Sequence, residues 1–161
     1  MHQKTTEVPL SGHTYQIRRM LPDVGSYIWQ KLMAGCFKAQ QANANDDAVA
    51  QDEVPAAQPP AADRLRILCG MAFMYLDFEA FAFVQNSCMK VTSRVEEAGP
   101  IPVMSYDGRW SVPDLEYNPF LVTKLMTEAL VFNLSDFLSE SEAPKTAVAA
   151  SPVTAQSHSR R

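Results

Sequence analysis

Histidine, cysteine and paired acidic side chains are the groups through which this chain could carry out acid–base, nucleophilic or metal chemistry. The histidines fall in predicted termini or in a turn: His2, His13 and His158. A rigid pairing of histidine with a serine or cysteine nucleophile is hard to build from such positions. The acid pairs Asp46-Asp47 and Glu96-Glu97 lie in predicted loops, where carboxylates are usually solvated. We therefore expect no catalytic residue and no metal or cofactor site.

Known catalytic and phosphate-binding motifs are missing from the sequence. It contains no G-x-S-x-G elbow, no phosphate-binding glycine loop and no H-E-x-x-H helix. Cys36, Cys69 and Cys88 are widely spaced, form no C-x-x-C pair and lie in helical patterns. We interpret them as buried, reduced thiols, which is typical of a cytosolic protein. The sequence thus predicts a protein that is not an enzyme.

Charge and hydropathy argue against nucleic acid and membranes as partners of this chain. The chain has 161 residues, 47% of them hydrophobic, which is enough for one domain with appendages. Its formal net charge of -4 gives no electrostatic reason to bind nucleic acid. The N-terminus lacks an apolar signal core, and the most apolar run, residues 71–84, is interrupted by Asp77 and Glu79. We expect a cytoplasmic protein without a membrane span.

Residues 101–138 contain a turn, a helix start and a long apolar face. Asp107-Gly108 favours a tight turn, so we expect a short hairpin with strands at residues 103–105 and 109–112. Asn118 can cap a helix, and Pro119 suits its first position because a missing N–H costs nothing there. Apolar residues follow at three- and four-residue spacing, which predicts a broad buried stripe.

The N-terminal part predicts a hairpin followed by a helix. Strands at Thr5–Leu10 and at residues 14–20 flank Ser11-Gly12-His13, and Pro9 places the first strand at a sheet edge. A helix should begin at Pro22-Asp23, with Asp23 as N-cap, and extend to about residue 40. Residues 41–62 are acidic and rich in alanine and proline, so we expect a flexible loop between helices. An acidic recognition segment is the functional alternative.

Two more helices should follow this loop. Asp63 is the expected cap of the first, and Gly70 is a weak point within it. Asp77 should cap the second, which runs to about Lys90. We interpret its aromatic pair Phe81 and Phe83 as core residues, because aromatic residues at helical spacing usually belong to a core, and a ligand pocket is the alternative. A break at residues 96–100 precedes the turn at Asp107-Gly108, and a disordered tail should occupy residues 140–161.

Together these elements predict an α+β fold that is mainly helical. About four helices should surround one core, with a small N-terminal β-hairpin and a second short hairpin. The last helix carries more apolar residues than one core contact would cover. Phe120, Leu134 and Leu138 fall on or beside its other faces. We therefore expect these three residues at the edge of a partner-binding surface, either for another protein or for a second copy of this chain.

The order of these pieces is similar to that of a known family. The motifs are L-S-G-H-T-Y-Q-I-R-R-M, a helix pair around L-D-F-E, P-V-M-S-Y-D-G-R-W, D-L-E-Y-N-P and a helix ending N-L-S-D-F-L. This arrangement resembles the tail assembly chaperones of long-tailed bacteriophages and prophages. It covers residues 8–37 and 63–138 and rests on order and local pattern, without an invariant catalytic string. The long acidic loop and the Ala/Ser/Pro-rich tail depart from the family pattern.

The resemblance implies a single chaperone-like domain over residues 1–139 and a non-enzymatic role in the host bacterial cytoplasm. Such a protein binds the tape measure protein, and possibly tail-tube subunits, during assembly and is absent from the finished virion. The family often makes a longer form by ribosomal frameshifting. Amphipathic helices without a chemical site also suit other roles, so a structural minor tail component and a helical adaptor protein remain alternatives.

Overall fold

The computed structural model of the protein describes residues 4–43 and 59–140. The described part contains four strands and five helices, in the order β1 (Thr5–Leu10), β2 (His13–Arg18), α1 (Pro22–Asn43), α2 (Ala61–Phe73), α3 (Phe78–Lys90), β3 (Thr92–Glu96), β4 (Gly99–Pro102), α4 (Pro113–Glu116) and α5 (Pro119–Glu140). The predicted α+β, mainly helical fold is confirmed.

The strands form one antiparallel sheet in the order β1-β2-β3-β4. The predicted N-terminal hairpin is confirmed, with Val8 opposite Tyr15 and Leu10 opposite His13. Its turn is Ser11-Gly12, where φ is 51° and 82°, a pair of values that suits the right-handed twist of a hairpin. His13 is therefore the first residue of β2 and lies outside the turn. Pro9 lies at the sheet edge, as expected.

The second hairpin is not where the sequence placed it. It consists of β3 and β4, which pair Glu96 with Gly99 across residues 96–100, the segment predicted as a break. At Asp107-Gly108 the expected turn forms, but the flanking strands are reduced to one bridge between Met104 and Trp110. The ladder stops there because the chain enters α4 at Pro113, so too few residues remain for a second pair of strands.

Helix starts were predicted correctly where the cap is a local hydrogen bond. Asp77 accepts from the Ala80 amide at 2.8 Å at the start of α3, and Asn118 Oδ1 accepts from the Leu121 amide at 3.1 Å at the start of α5. Asp23 and Asp63 lie instead in the first turns of α1 and α2, where a carboxylate is still favoured by the helix dipole.

The boundaries of the predicted acidic loop were wrong at both ends. α1 continues to Asn43 and α2 begins at Ala61, so the ends of the 41–62 segment are helical. Gln41 and Ala42 extend α1 as exposed residues that add no core contacts, which is why the composition suggested an earlier end. Residues 44–58 and the predicted tail beyond residue 140 lie outside the described residues.

α5 is the central helix of the described fold. It contacts α1, α2, α3, α4 and β2. Its fully or nearly fully buried residues face several of these elements at once: Leu121, Val122, Leu125, Met126, Ala129, Leu130 and Leu134. Tyr15 and Ile17 complete the core from the inner face of the sheet. The large apolar content of α5 thus reflects contact on most of its sides.

Close approach of α1 to α2 depends on Gly35. A Cβ atom at that position would lie 2.9 Å from the Ala72 carbonyl oxygen and 3.1 Å from the Ala72 Cα.

The three cysteines lie on α1, α2 and α3, and all three are buried and free, which confirms the interpretation from the sequence. Burial raises the pKa of the Cys69 thiol to about 12 and raises that of Cys88 well above its ordinary value.

Asn133 fastens α5 to the connection between β2 and α1. Its Oδ1 accepts from the Met20 amide at 2.7 Å, and its Nδ2 donates to the carbonyls of Arg18 at 3.3 Å and Ala129 at 2.9 Å. Beside it, Arg19 Nη1 donates to the Phe132 carbonyl at 2.6 Å. No local pattern in the sequence indicates these long-range contacts of Asn133.

Candidate protein-binding groove

A half-open groove of about 500 Å³ lies between the edge strand β1 and the helices α2 and α5. Its lining residues are Val8, Pro9, Leu10, Arg66, Phe120, Thr123, Lys124, Thr127 and Glu128. We call it the β1–α5 groove. It is formed because β1 continues the sheet beyond the part that α5 covers, so Val8 and Leu10 are only partly buried on the inner face. The result, among the described residues, is a partly exposed apolar surface.

Phe120 is the main exposed aromatic residue of the β1–α5 groove. Its exposed fraction is 70%, and it lies in the first turn of α5 directly after the Asn118-Pro119 start. The Lys124 ammonium lies 4.5 Å from its ring centroid, one helical turn later. An exposed aromatic ring beside a cation is suited to binding an apolar side chain with a carboxylate nearby.

An ion pair fixes α2 against α5 in the lining of the groove. Arg66 binds Glu128 through two hydrogen bonds, Nε to Oε1 at 3.1 Å and Nη2 to Oε2 at 2.9 Å, and its Nη1 lies 2.9 Å from Asp63 Oδ1. The bond to Glu128 raises the pKa of Arg66. A bidentate arrangement defines geometry more firmly than a single contact does. This ion pair therefore fixes the position of α2 relative to α5 where the two helices line the groove.

A smaller depression of about 250 Å³ continues the groove along β1. It shares Val8 and Glu128 with the β1–α5 groove and is also lined by Thr6 of β1 and by residues of α2 and α5. The two spaces follow the inner face of β1 from Leu10 back to Thr6. Together they form an elongated surface rather than a closed cavity for a small molecule.

The three predicted partner-binding residues do not form one surface. Phe120 lines the β1–α5 groove, whereas the partly buried Leu138 lines a separate depression of about 310 Å³ with Arg64, Ile67 and Leu68. Leu134 is fully buried, so its predicted exposure was wrong. It points toward α1, where a Cβ added to Gly25 would lie 3.9 Å from its Cδ2. The surplus of apolar residues on α5 is explained at this position by the extra helices around it.

The aromatic pair on α3 has two different environments. Phe81 packs edge-on against Phe73, with ring centroids 5.9 Å apart, and belongs to the core periphery. Phe83 is 40% exposed and packs edge-on against Tyr27 at 4.9 Å. An open depression of about 380 Å³ lies beside Phe83. The core interpretation is therefore confirmed for Phe81 and fails for Phe83.

The main cluster of titratable groups, at the β3 end of the sheet, has a structural arrangement. Arg94 binds Asp114 at 2.9 Å and also Glu96, which ties β3 to α4. Burial raises the pKa of the adjacent Tyr15, against the opposing effect of the Arg94 charge. Among the described residues, no group of three or more His, Cys, Asp and Glu side chains is placed to hold a metal ion.

Two local signals in the sequence point to the β1 side of the groove. Pro9 indicated an edge strand, and the alternation of Val8 and Leu10 with polar neighbours indicated which face of that strand is apolar. No local sequence pattern placed Phe120 next to this strand, because that contact depends on how α5 crosses the sheet.

Within residues 4–43 and 59–140, no helix is both long and apolar enough to cross a membrane. No protein-family model, curated protein or solved structure matches this chain.

Proposed function

We propose that this protein is a non-enzymatic tail assembly chaperone of a long-tailed bacteriophage or prophage. It acts in the host bacterial cytoplasm, binds the tape measure protein, assists assembly of the tail tube and leaves before the virion is complete. The proposal starts from the resemblance of the sequence motifs to that family. The observation that supports a binding role most directly is the β1–α5 groove, with Phe120 70% exposed at one end.

The composition of the groove suits a polypeptide partner. Val8, Leu10 and Phe120 offer an apolar surface, and Lys124 and Thr127 add polar groups that can orient a bound chain. Binding energy at protein interfaces is concentrated in a few buried aromatic and arginine anchors surrounded by polar residues. Phe120 would be such an anchor, and its truncation should weaken binding by about 2 kcal/mol, or roughly 30-fold.

Co-expression with the tape measure protein tests the proposal. The wild-type chain should keep that protein soluble and co-purify with it, whereas Phe120→Asp should lose most of the co-purified protein. Phe78→Asp is the matched control, because Phe78 is 84% exposed at the first position of α3, where an added carboxylate is tolerated. Equal loss in both variants, or no loss in Phe120→Asp, would remove the groove from the binding site.

A structural minor tail component is the second candidate, since it would also need a binding surface without a chemical site. Mass spectrometry of purified particles separates the two roles. A chaperone should be missing from mature tails, and a structural subunit should be present in fixed copy number. A helical adaptor outside tail assembly would bind neither the tape measure protein nor tail-tube subunits in the same co-purification.

A further inference from the structure

The two edges of the sheet differ in the hydrogen bonds that they leave open. The Arg19 amide donates to the Lys4 carbonyl at 3.2 Å, and this pair sets the phase of the β1–β2 ladder. In an antiparallel pair, hydrogen-bonded residues alternate with residues whose N–H and C=O groups point away from the partner strand. The backbone groups of Thr5, Glu7 and Pro9 therefore point outward from β1.

The opposite edge is closed by two prolines. The Val103 amide donates to the Thr92 carbonyl at 2.9 Å, which sets the phase of the β3–β4 ladder in the same way. Pro100 and Pro102 are then the outward-facing residues of β4, and proline has no N–H to donate. Natural proteins often use proline at an edge to prevent pairing with another strand. β4 offers no outward donor within its bounds.

β1 keeps two outward donors, the amides of Thr5 and Glu7, and only its third outward position is a proline. No other strand of the described part of the chain pairs with this edge. The side chains of Thr5 and Glu7 lie on the outer face of the sheet, opposite Arg18 and Gln16, so these outward amides are not tied to the packing of the core. The difference between the two edges indicates that β1 is left open selectively.

The β1–α5 groove begins at this open edge. Thr6, Val8 and Leu10, which alternate with the outward-facing residues, line the groove and its smaller continuation. The six residues of β1 extend over about 20 Å at about 3.3 Å per residue. A strand added beside β1 would place alternate side chains over Phe120, Thr127 and their neighbours on α5. An extended segment beside β1 could therefore bond to the outward backbone groups of β1 and also place side chains in the apolar β1–α5 groove.

We propose that β1 binds an extended segment of the partner protein as a fifth strand, with apolar side chains at alternate positions entering the β1–α5 groove. A carboxylate of the segment would meet Lys124 at the Phe120 end. The identity of the partner as the tape measure protein rests on the proposed function. The mode of binding is strand addition, in which backbone hydrogen bonds supply affinity and the groove supplies side-chain selection.

A second copy of this chain is a poorer occupant of the same edge. Antiparallel pairing of two β1 strands that joins the open amides sets Thr5 opposite Glu7 of the other copy. Lys4 of that copy then lies opposite Val8, and its Thr6 lies opposite Thr6, so polar side chains face the apolar groove. Two other registers also join these amides. One places Glu7 opposite Glu7, which sets like charges together, and the other places Thr5 opposite Thr5, which sets the polar pair Lys4 and Thr6 over the groove face.

Paired variants of Glu7 in the full chain separate the backbone contact from the side chain. Glu7→Pro removes one outward N–H without touching the β1–β2 ladder, and Glu7→Ala removes the same side chain but keeps the N–H. On co-expression with the tape measure protein, Glu7→Pro should reduce the co-purified amount at least tenfold, whereas Glu7→Ala should stay within twofold of wild type. Pro9→Val, which adds an outward donor, should increase it severalfold.

The outcomes distinguish this inference from the proposed function. If wild type fails to bind the tape measure protein, the proposed function fails. If wild type binds and Glu7→Pro binds equally well, or Glu7→Ala loses as much, strand addition is refuted and the chaperone role stands. Should Glu7→Pro fail to fold in a melting experiment, Pro9→Val decides, since an unchanged yield refutes the inference. A wild-type dimer that Glu7→Pro converts to a monomer would assign the edge to a second copy and overturn it.

Discussion

Replacement of Asn133 by alanine should destabilise the protein, because Asn133 makes long-range hydrogen bonds that no local sequence pattern indicates. The side chain makes three hydrogen bonds, to the Met20 amide at 2.7 Å and to the carbonyls of Ala129 at 2.9 Å and Arg18 at 3.3 Å. The Met20 amide matters most, because a partly buried donor without a partner costs about 1–3 kcal/mol. The Ala129 carbonyl is less affected, since it keeps its backbone partner in α5.

The expected net loss in the free energy of unfolding is about 2 kcal/mol. The unpaired Met20 amide and the lost hydrogen bond to Arg18 lower the free energy of unfolding, whereas the better helix propensity of alanine raises it by about 0.5 kcal/mol. For a domain of this size, the melting temperature should fall by about 5–10 °C. Urea unfolding followed by circular dichroism measures the free energy directly, with the slope checked for a change in the unfolded state.

Asn86→Ala is the control for this prediction. Asn86 is exposed on α3, so the same substitution changes helix propensity without the link to the β2–α1 connection. It should leave the protein unchanged or stabilise it by a few tenths of a kcal/mol. If Asn133→Ala unfolds within about 0.5 kcal/mol of wild type, the three hydrogen bonds give no net stability and the reasoning is wrong.

Three further predictions concern the core. Gly35→Ala should lower the free energy of unfolding by about 1–3 kcal/mol, because the added Cβ would lie 2.9 Å from the Ala72 carbonyl oxygen. Gly70→Ala is the control and should not be destabilised, because a Cβ there meets nothing within 4 Å. Chemical denaturation of both variants measures the difference. Leu134→Ala should cost about 2–5 kcal/mol by the same assay, and a loss near zero would restore the exposed position predicted from the sequence. The free energy of unfolding should also fall as the pH rises from about 9 toward 12. The pKa of Cys69 is raised to about 12 in the folded state, so the unfolded chain loses its thiol proton first. The stability that the neutral Cys69 thiol contributes is therefore complete below the unfolded pKa and decreases by about 1.4 kcal/mol per pH unit above it. Cys69→Ala should show a shallower decrease in urea titrations at pH 8 and 10, and an identical slope would contradict the assignment.

Local signals predicted the element starts that depend on a few adjacent residues. Asp77 and Asn118 cap α3 and α5 through their own side chains, and Ser11-Gly12 forms the first turn, so sequence pattern was enough for each. The sequence G-P-I-P of β4 has low strand propensity, because proline lacks an N–H and is tolerated in a strand only where that N–H would point away from the sheet. That condition is visible only once β4 is known to lie at an edge.

The candidate binding site was predicted less completely than the fold. Phe120 was identified from its excess apolar character, and the structure places it in the groove. Leu134 has the same apolar character, yet it is buried, because helical periodicity reports which residues share a face and does not report how many faces are covered. The pairing of Phe120 with Val8 and Leu10 joins residues more than a hundred positions apart, beyond the range of any local pattern.

The position of α5 at the centre of the fold has a consequence for synthesis of the protein on the ribosome. The helix supplies the core surface for α1, α2, α3 and β2, yet it is the last described element to be translated. Until Asn133 has emerged, the connection after β2 lacks its hydrogen-bond partner, and the earlier helices expose their apolar faces. Folding should therefore be delayed until α5 has been translated, and a ribosome-stalled chain ending before residue 119 should remain sensitive to protease.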